Sequence, residues 1–303
     1  MRILVTGSSG MLGSQLCAAL KGKHGIIGID LAGPRSAETA PGAFHEGSIA
    51  DSEFVGSVMG EEKPDLVIHA AAWTDVDGCE LDPEKAYDIN ASGTEMIARQ
   101  AAAGGKIPVV LISTDFVFDG RKGSPYTEED APRPLSVYGR TKLEAEKAVQ
   151  RISPAHAIVR SSWLFGLNGK NFVDTILAKA GETGRLRVVR DQVGSPTSAK
   201  DLAAALDRLI DAGAVSGREI FHVSDSGSCS WYDLAVRVLA EAGGMEDVAV
   251  EPISSAELGR PAGRPAFSAL DCSKYEKVTG HKMRPWEDAL KEYIRERHAE
   301  RLQ

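Results

Sequence analysis

Short, almost wholly apolar runs alternate with longer stretches of mixed polarity through the first half of the chain. The runs Ile3 to Thr6, Gly25 to Asp30, Leu66 to Ala70, Val109 to Ser113 and Ala157 to Arg160 read as strands. Segments opening near Met11, Ser52, Pro83 and Tyr138 carry apolar residues at helical spacing. Strands that are apolar at successive positions are expected where helices cover both faces of a parallel sheet. The alternation therefore predicts an α/β fold with a doubly wound parallel sheet over residues 1–165, to which a later segment near 186–225 returns. After Gly166 the pattern shifts to shorter mixed segments with glycine and proline near Gly194-Ser195-Pro196, at Pro252 and from Arg260 to Pro265. This predicts a smaller, interleaved lobe over residues 166–303. The run Trp286 to Leu302 reads as a charged amphipathic helix, solvated at the surface.

Composition narrows the function. With 303 residues, 43% hydrophobic and 26% charged, the chain is ordinary globular material, and a net charge of -8 supplies no basic footprint for nucleic acid. Cys17, Cys79, Cys229 and Cys272 are scattered, without a CxxC pair or nearby histidines at ligand spacing, so they read as free thiols and no metal ligand set emerges. No apolar stretch approaches a membrane span and the first residues lack a signal sequence, so a cytoplasmic protein is expected.

The first strand runs straight into Gly7-Ser8-Ser9-Gly10-Met11-Leu12-Gly13, after which a helix begins. Glycines at these places let a loop turn sharply and bring its N–H groups, with the positive end of the helix, against a pyrophosphate. Asp30 ends the second strand, where a carboxylate accepts hydrogen bonds from an adenosine ribose. Gly7, Gly10, Met11, Leu12, Gly13 and Asp30 thus mark a Rossmann-type dinucleotide site. NADH or NADPH is the expected cofactor. Asp30 repels a 2′-phosphate and so favours NADH, while Arg35, five residues on, can meet that phosphate.

Tyr138 and Lys142 lie four apart at the start of a predicted helix and share one face. An ammonium beside a phenol lowers the phenol's pKa from its usual value near 10, and this pair predicts a tyrosine able to give a proton. It follows the strand that ends at Ser113-Thr114-Asp115, and open parallel sheets bind ligands at the carboxyl ends of their strands. Thr114 and Tyr138 are therefore expected to meet.

Together with His69-Ala70-Ala71-Ala72-Trp73-Thr74-Asp75-Val76-Asp77, Ser113 to Gly120, Arg160 to Gly166, Asp191 to Thr197 and Arg264 to Leu270, these segments resemble the extended short-chain dehydrogenase/reductase family, and within it the branch that reduces dTDP-4-keto-6-deoxy sugars. The resemblance spans nearly the whole chain. It implies reduction of the C4 ketone of a dTDP-6-deoxy-4-keto-hexose, the conversion of dTDP-4-dehydrorhamnose to dTDP-L-rhamnose. On that pattern Tyr138 gives the proton, Lys142 binds the nicotinamide ribose and Thr114 holds the reacting oxygen. Ala70 and Ala71 line the cofactor, while Thr74, Val76, Asp115 and Trp163 face a dTDP-sugar. A homodimer remains open.

Three departures from the family pattern put the sugar's identity in question. Phe116 stands where tyrosine is common, Gly47-Ser48-Ile49 lacks the usual acid that contacts adenine, and Pro196-Thr197-Ser198-Ala199 lacks an aromatic after the threonine. Competing readings are a sugar-nucleotide dehydratase or epimerase, and a non-catalytic subunit of the methionine adenosyltransferase regulatory type. Dehydratases carry an Asp-Glu pair after the threonine, and Phe116 breaks it here. Trp163 also reads as a core aromatic beneath a loop. Asp75 and Asp77 read as a solvated loop.

Overall fold

A computed structural model describes residues 1–301. Six strands run β1 (Arg2–Thr6), β2 (Gly25–Asp30), β3 (Ala43–Glu46), β4 (Leu66–His69), β5 (Val109–Thr114) and β6 (His156–Ser161). With the later strand Arg218–His222 they form one parallel sheet in the order Arg218–His222, β6, β5, β4, β1, β2, β3. The predicted α/β class is the observed one. The strand β3, AFHE, has no fully buried position and no apolar run to announce it.

Helices α1 (Met11–Leu20), α2 (Ser52–Glu62), α3 (Val76–Leu81), α4 (Pro83–Tyr87), α5 (Gly93–Ala103) and α6 (Val137–Ile152) connect the strands. Successive residues of one strand enter opposite cores, which is why the strands read as continuously apolar. Ile3 and Val5 pack with α1 and helix Ala199–Asp211 on one face. Leu4 packs with α2, α5 and α6 on the other.

A third core gathers Phe165, helices Phe172–Thr183 and Trp231–Ala242, and the final helix, Trp286–Arg301. That last helix departs from the expectation of a solvated element. Trp286, Ala289, Leu290, Tyr293 and Ile294 are all buried, so one face belongs to this core and only the charged face meets solvent. The terminal Leu302 of the predicted run lies outside the described residues. No helix among the described residues is long and apolar enough to cross a membrane.

The sheet order reverses between β1 and β4, so the loops that leave these two strands diverge and open a crevice at their carboxyl ends. All the sequence-selected residues lie on segments that start or end at this edge of the sheet.

Candidate active site

Gly7 adopts φ +70°, and a Cβ placed on it would come within 2.9 Å of the Ala71 backbone. The loops after β1 and β4 therefore touch, which only glycine permits. A Cβ on Gly13 would lie 1.9 Å from the Gly7 carbonyl oxygen, so the first turn of α1 sits directly on the loop. Met11 packs under Gly169, and Asn168 Nδ2 donates to Ser14 Oγ at 3.2 Å, so the segment after β6 closes over the same helix end. Asp30 uses both carboxylate oxygens to shape the loop: Oδ2 accepts the Ser9 N–H at 2.9 Å and Oδ1 the Leu31 N–H at 2.7 Å. Each oxygen keeps a lone pair for a further donor. This empty-sided glycine cradle, with the amino end of a helix behind it, fits a dinucleotide pyrophosphate.

At the floor, Thr6 Oγ1 and His69 Nδ1 lie 2.6 Å apart, and His69 Nε2 lies 3.0 Å from Thr94 Oγ1. Burial and the Lys142 charge hold the imidazole down to about 3, so it is a neutral strut between β1, β4 and α5. The sequence signal was present, since His69 opens one of the family-like segments, but nothing local gave its partners.

Ser136 caps α6 by accepting the Gly139 N–H at 3.1 Å. A Cβ on Gly139 would lie 2.2 Å from the Phe116 carbonyl oxygen. Glycine beside the tyrosine thus lets α6 seat directly on the turn that follows Thr114, and this brings Tyr138 to the threonine. The Phe116 ring meets Tyr138 edge-on, with centroids 5.9 Å apart. Val76 and Trp73 pack in the same cluster, whereas Thr74 is exposed.

Lys142 is 3% exposed, and its Nζ donates to the Ile112 carbonyl at 2.8 Å. Burial lowers it to about 8, against the pull of the Glu146 carboxylate. The expectation of a depressed tyrosine pKa is corrected here. Burial pushes the Tyr138 phenol above its ordinary value, and the neighbouring Thr114 hydroxyl offsets this only in part. The phenol is a protonated donor in this cleft.

Behind the cluster, a network appears that sequence reading did not anticipate. Glu146 accepts two bonds from Arg160, at 2.9 and 2.7 Å, and one from Ser113 Oγ at 2.6 Å. It ties α6 to the strand that ends in Thr114. A short π-helical turn over Asp88–Ser92 carries Asn90, which accepts the Trp73 N–H at 2.8 Å and donates to the Trp73 carbonyl and Thr141 Oγ1. The loop bearing Thr74 is held by this amide.

Trp163 follows β6, where Ser161 is in register with Thr114, so it stands at the same edge. It has φ +48°, and Trp231 covers one ring face at a centroid distance of 3.4 Å and an interplanar angle of 4°. It is half-buried against the third core. Asp77 is not solvated as expected. Arg264 grips it through two bonds of 3.0 and 2.9 Å, and Arg260 adds a third at 3.1 Å. Asp75 caps α3 by accepting the Gly78 N–H.

A doubly wound sheet, a glycine cradle at its switch point and a buried threonine, tyrosine and lysine beside it define the class of extended short-chain dehydrogenases and reductases. The chain belongs to the RmlD substrate binding domain family, which it matches over residues 1–299. It is 38% identical over 301 residues to the dTDP-4-dehydrorhamnose reductase of Sinorhizobium fredii, covering 97% of each protein. Among solved structures, a dTDP-4-dehydrorhamnose reductase ortholog from Clostridium acetobutylicum superposes with a TM-score of 0.86 at 40% identity, covering 97% of this chain and 98% of that one. The dTDP-4-dehydrorhamnose reductase of Bacillus anthracis, in complex with NADP, superposes with a TM-score of 0.85 at 33% identity, over 97% of this chain and 99% of that one.

Proposed function

We propose that this chain reduces the C4 ketone of a dTDP-6-deoxy-4-keto-hexose, turning dTDP-4-dehydrorhamnose into dTDP-L-rhamnose with NADH or NADPH. The observation that carries the reading is the buried Thr114, Tyr138 and Lys142 cluster, set one loop away from a glycine cradle that fits a dinucleotide. Gly7, Gly10, Met11, Leu12 and Gly13 would hold the pyrophosphate, Asp30 the adenosine ribose, and Ala70 and Ala71 the floor. The bound nicotinamide supplies the hydride. Tyr138, kept protonated by burial, gives its proton to the developing alkoxide. Thr114 orients that oxygen, and Lys142 places a positive charge where negative charge develops. Thr74, Val76 and Asp115 would meet the sugar, and Trp163, with Trp231 stacked on its ring and the Gly194 backbone also against it, would meet the sugar at its edge. The lobe that carries Trp231 would form the other wall of the substrate cleft. The same reading puts the enzyme in the cytoplasm, with a homodimer as the assembly to test by solution mass.

The test follows NADH and NADPH absorbance in the presence of dTDP-4-dehydrorhamnose, with mass spectrometry showing two added hydrogens in the sugar. Tyr138→Phe is expected to lower kcat by about 10² to 10⁴ while leaving the Kd for NAD(P)H within twofold. A parent without turnover, or a variant with parental turnover, overturns the assignment.

A further inference from the structure

The glycine cradle carries no charge of its own. From Gly7 to Gly13 its side chains are hydroxyl or apolar, and Gly10 lends α1 no side-chain cap. A dinucleotide brings two negative charges on its diphosphate, while a helix amino end offers only about half a positive charge. Two cations share a pocket with Gln15 and Gly166, and both are already neutralised: Lys200 by Glu292 and Glu296, Arg284 by Asp201 and Glu292. The segment after β6 supplies one that is not. Gly166 to Asn171 runs across the amino end of α1, so that a Cβ on Gly169 would come within 2.8 Å of Met11 Cβ and one on Gly166 within 3.3 Å of Met11 Cγ. Asn168, left-handed at φ +66°, turns its Nδ2 to Ser14 Oγ. At the far end Asn171 caps helix Phe172–Thr183, and its Nδ2 reaches the Gly166 carbonyl at 3.0 Å and the Tyr293 hydroxyl at 3.1 Å. The segment is thus pinned to α1 on one side and to the third core on the other. Lys170 stands between Gly169 and Asn171, exposed, and no carboxylate among the described residues pairs with it. In a chain with 43 acidic residues against 35 basic ones, an unpaired ammonium one residue from the contact with Met11 is a ready counter-ion.

We infer that Lys170 is the counter-ion of the cofactor's diphosphate, carried to the cradle by the segment after β6. This rests on the reading of the cradle as a dinucleotide site. A compact ammonium on a flexible four-carbon stem suits a diphosphate, which presents charge in several directions. The sugar nucleotide also carries a diphosphate, but the packing of Gly166 and Gly169 on Met11 puts this segment on the cofactor's side of the cleft. Lys170 differs in kind from Arg35, whose expected partner is a 2′-phosphate that only NADPH has. NADH and NADPH share the diphosphate, so Lys170 serves both equally and leaves the choice between them to Asp30 and Arg35.

The experiment titrates NADPH, NADH and dTDP by calorimetry into the parent, Lys170→Met and Lys170→Arg, each at low and at high salt. Lys170→Met is expected to raise the Kd for both cofactors about tenfold at low salt and to lose most of the salt dependence that the parent shows, because the screened interaction is gone. The NADPH to NADH ratio and the Kd for dTDP should stay within about twofold of parental, and Lys170→Arg should keep parental affinity and salt dependence. Gly169→Ala keeps the lysine but forces the segment off Met11, and should reproduce the weaker, salt-insensitive binding. An unchanged Kd in Lys170→Met overturns the inference, as does a loss that leaves the salt dependence intact, which would make the residue merely structural. A loss confined to NADPH gives the charge to the 2′-phosphate, and a loss confined to dTDP, or equal for all three ligands, gives it to the sugar nucleotide or to the lobe; each overturns the inference. A parent that binds neither dinucleotide removes the cofactor reading and Lys170 with it. A parent that binds them but does not reduce the dTDP-sugar overturns the reduction alone, and the Lys170 titrations still decide.

Discussion

Glu146→Gln removes one charge from a pair whose side chains are each 2% exposed. The amide keeps the carboxylate's size but cannot pair with the Arg160 guanidinium, and it competes as a donor with Ser113 Oγ. The next group on Arg160 is His222 Nε2 at 3.4 Å, and that imidazole is neutral, held down to about 3. A stranded buried charge costs about 3 to 5 kcal/mol. Unfolding entropy for a chain of this length is about 0.6 kcal/mol per kelvin, so Tm should fall by roughly 5 to 8 °C in a circular dichroism melt. Because Glu146 fixes α6 against β6 through Arg160 and against β5 through Ser113, kcat should fall while the Kd for NADPH, bound by the glycine cradle, stays near parental. Adding Arg160→Met removes the stranded charge and should restore most of the lost Tm. A single-variant shift below about 2 °C, or a double variant that melts lower than the single, would refute the reasoning.

Gly13→Ala puts a methyl 1.9 Å from the Gly7 carbonyl oxygen, a backbone atom that cannot step aside without opening the loop. Its Kd for NADPH should rise at least about tenfold, the affinity change that about 1.4 kcal/mol produces, as titrated by fluorescence. Asp30→Ala should raise the NADPH to NADH ratio of kcat/KM roughly tenfold by removing a carboxylate that repels a 2′-phosphate; an unchanged ratio removes Asp30 from the cofactor site. His222, pushed from 6.5 down to about 3 by burial and Arg160, stays neutral in the fold while the unfolded chain takes a proton near pH 6.5. Its contribution to stability is thus present above that pH and is lost as pH falls toward 3. Relative to His222→Asn, the parent should lose about 1.4 kcal/mol, or about 2 °C in Tm, for each unit of pH between 6 and 4.

What the chain made readable was local. Strands covered on both faces are apolar at every position, so β1, β2, β4, β5 and β6 stood out, whereas β3 and the strand Arg218–His222 mix polar residues with apolar ones and did not. Tyr138 and Lys142 shared a face by spacing alone, but the direction of the phenol's shift depends on how much water the folded cleft excludes, and no local pattern carries that. Asp77 looked solvated because its arginines lie 183 and 187 residues away. Likewise the final helix reads as charged, yet its apolar minority is what the third core requires. Glu146 sat in plain view one turn beyond Lys142, but its partners come from two other strands.

The Trp163 and Trp231 stack has an optical consequence. Indoles held parallel in van der Waals contact do not absorb independently: their transitions couple and give a paired positive and negative band in circular dichroism. One ring extends from the sheet through the segment after β6, and the other opens a helix of the third core. Their coupling therefore depends on the placement of that core against the sheet, and its loss in Trp231→Phe would identify the band. The stack is an unlabelled reporter of whether the third core stays packed on the segment after β6.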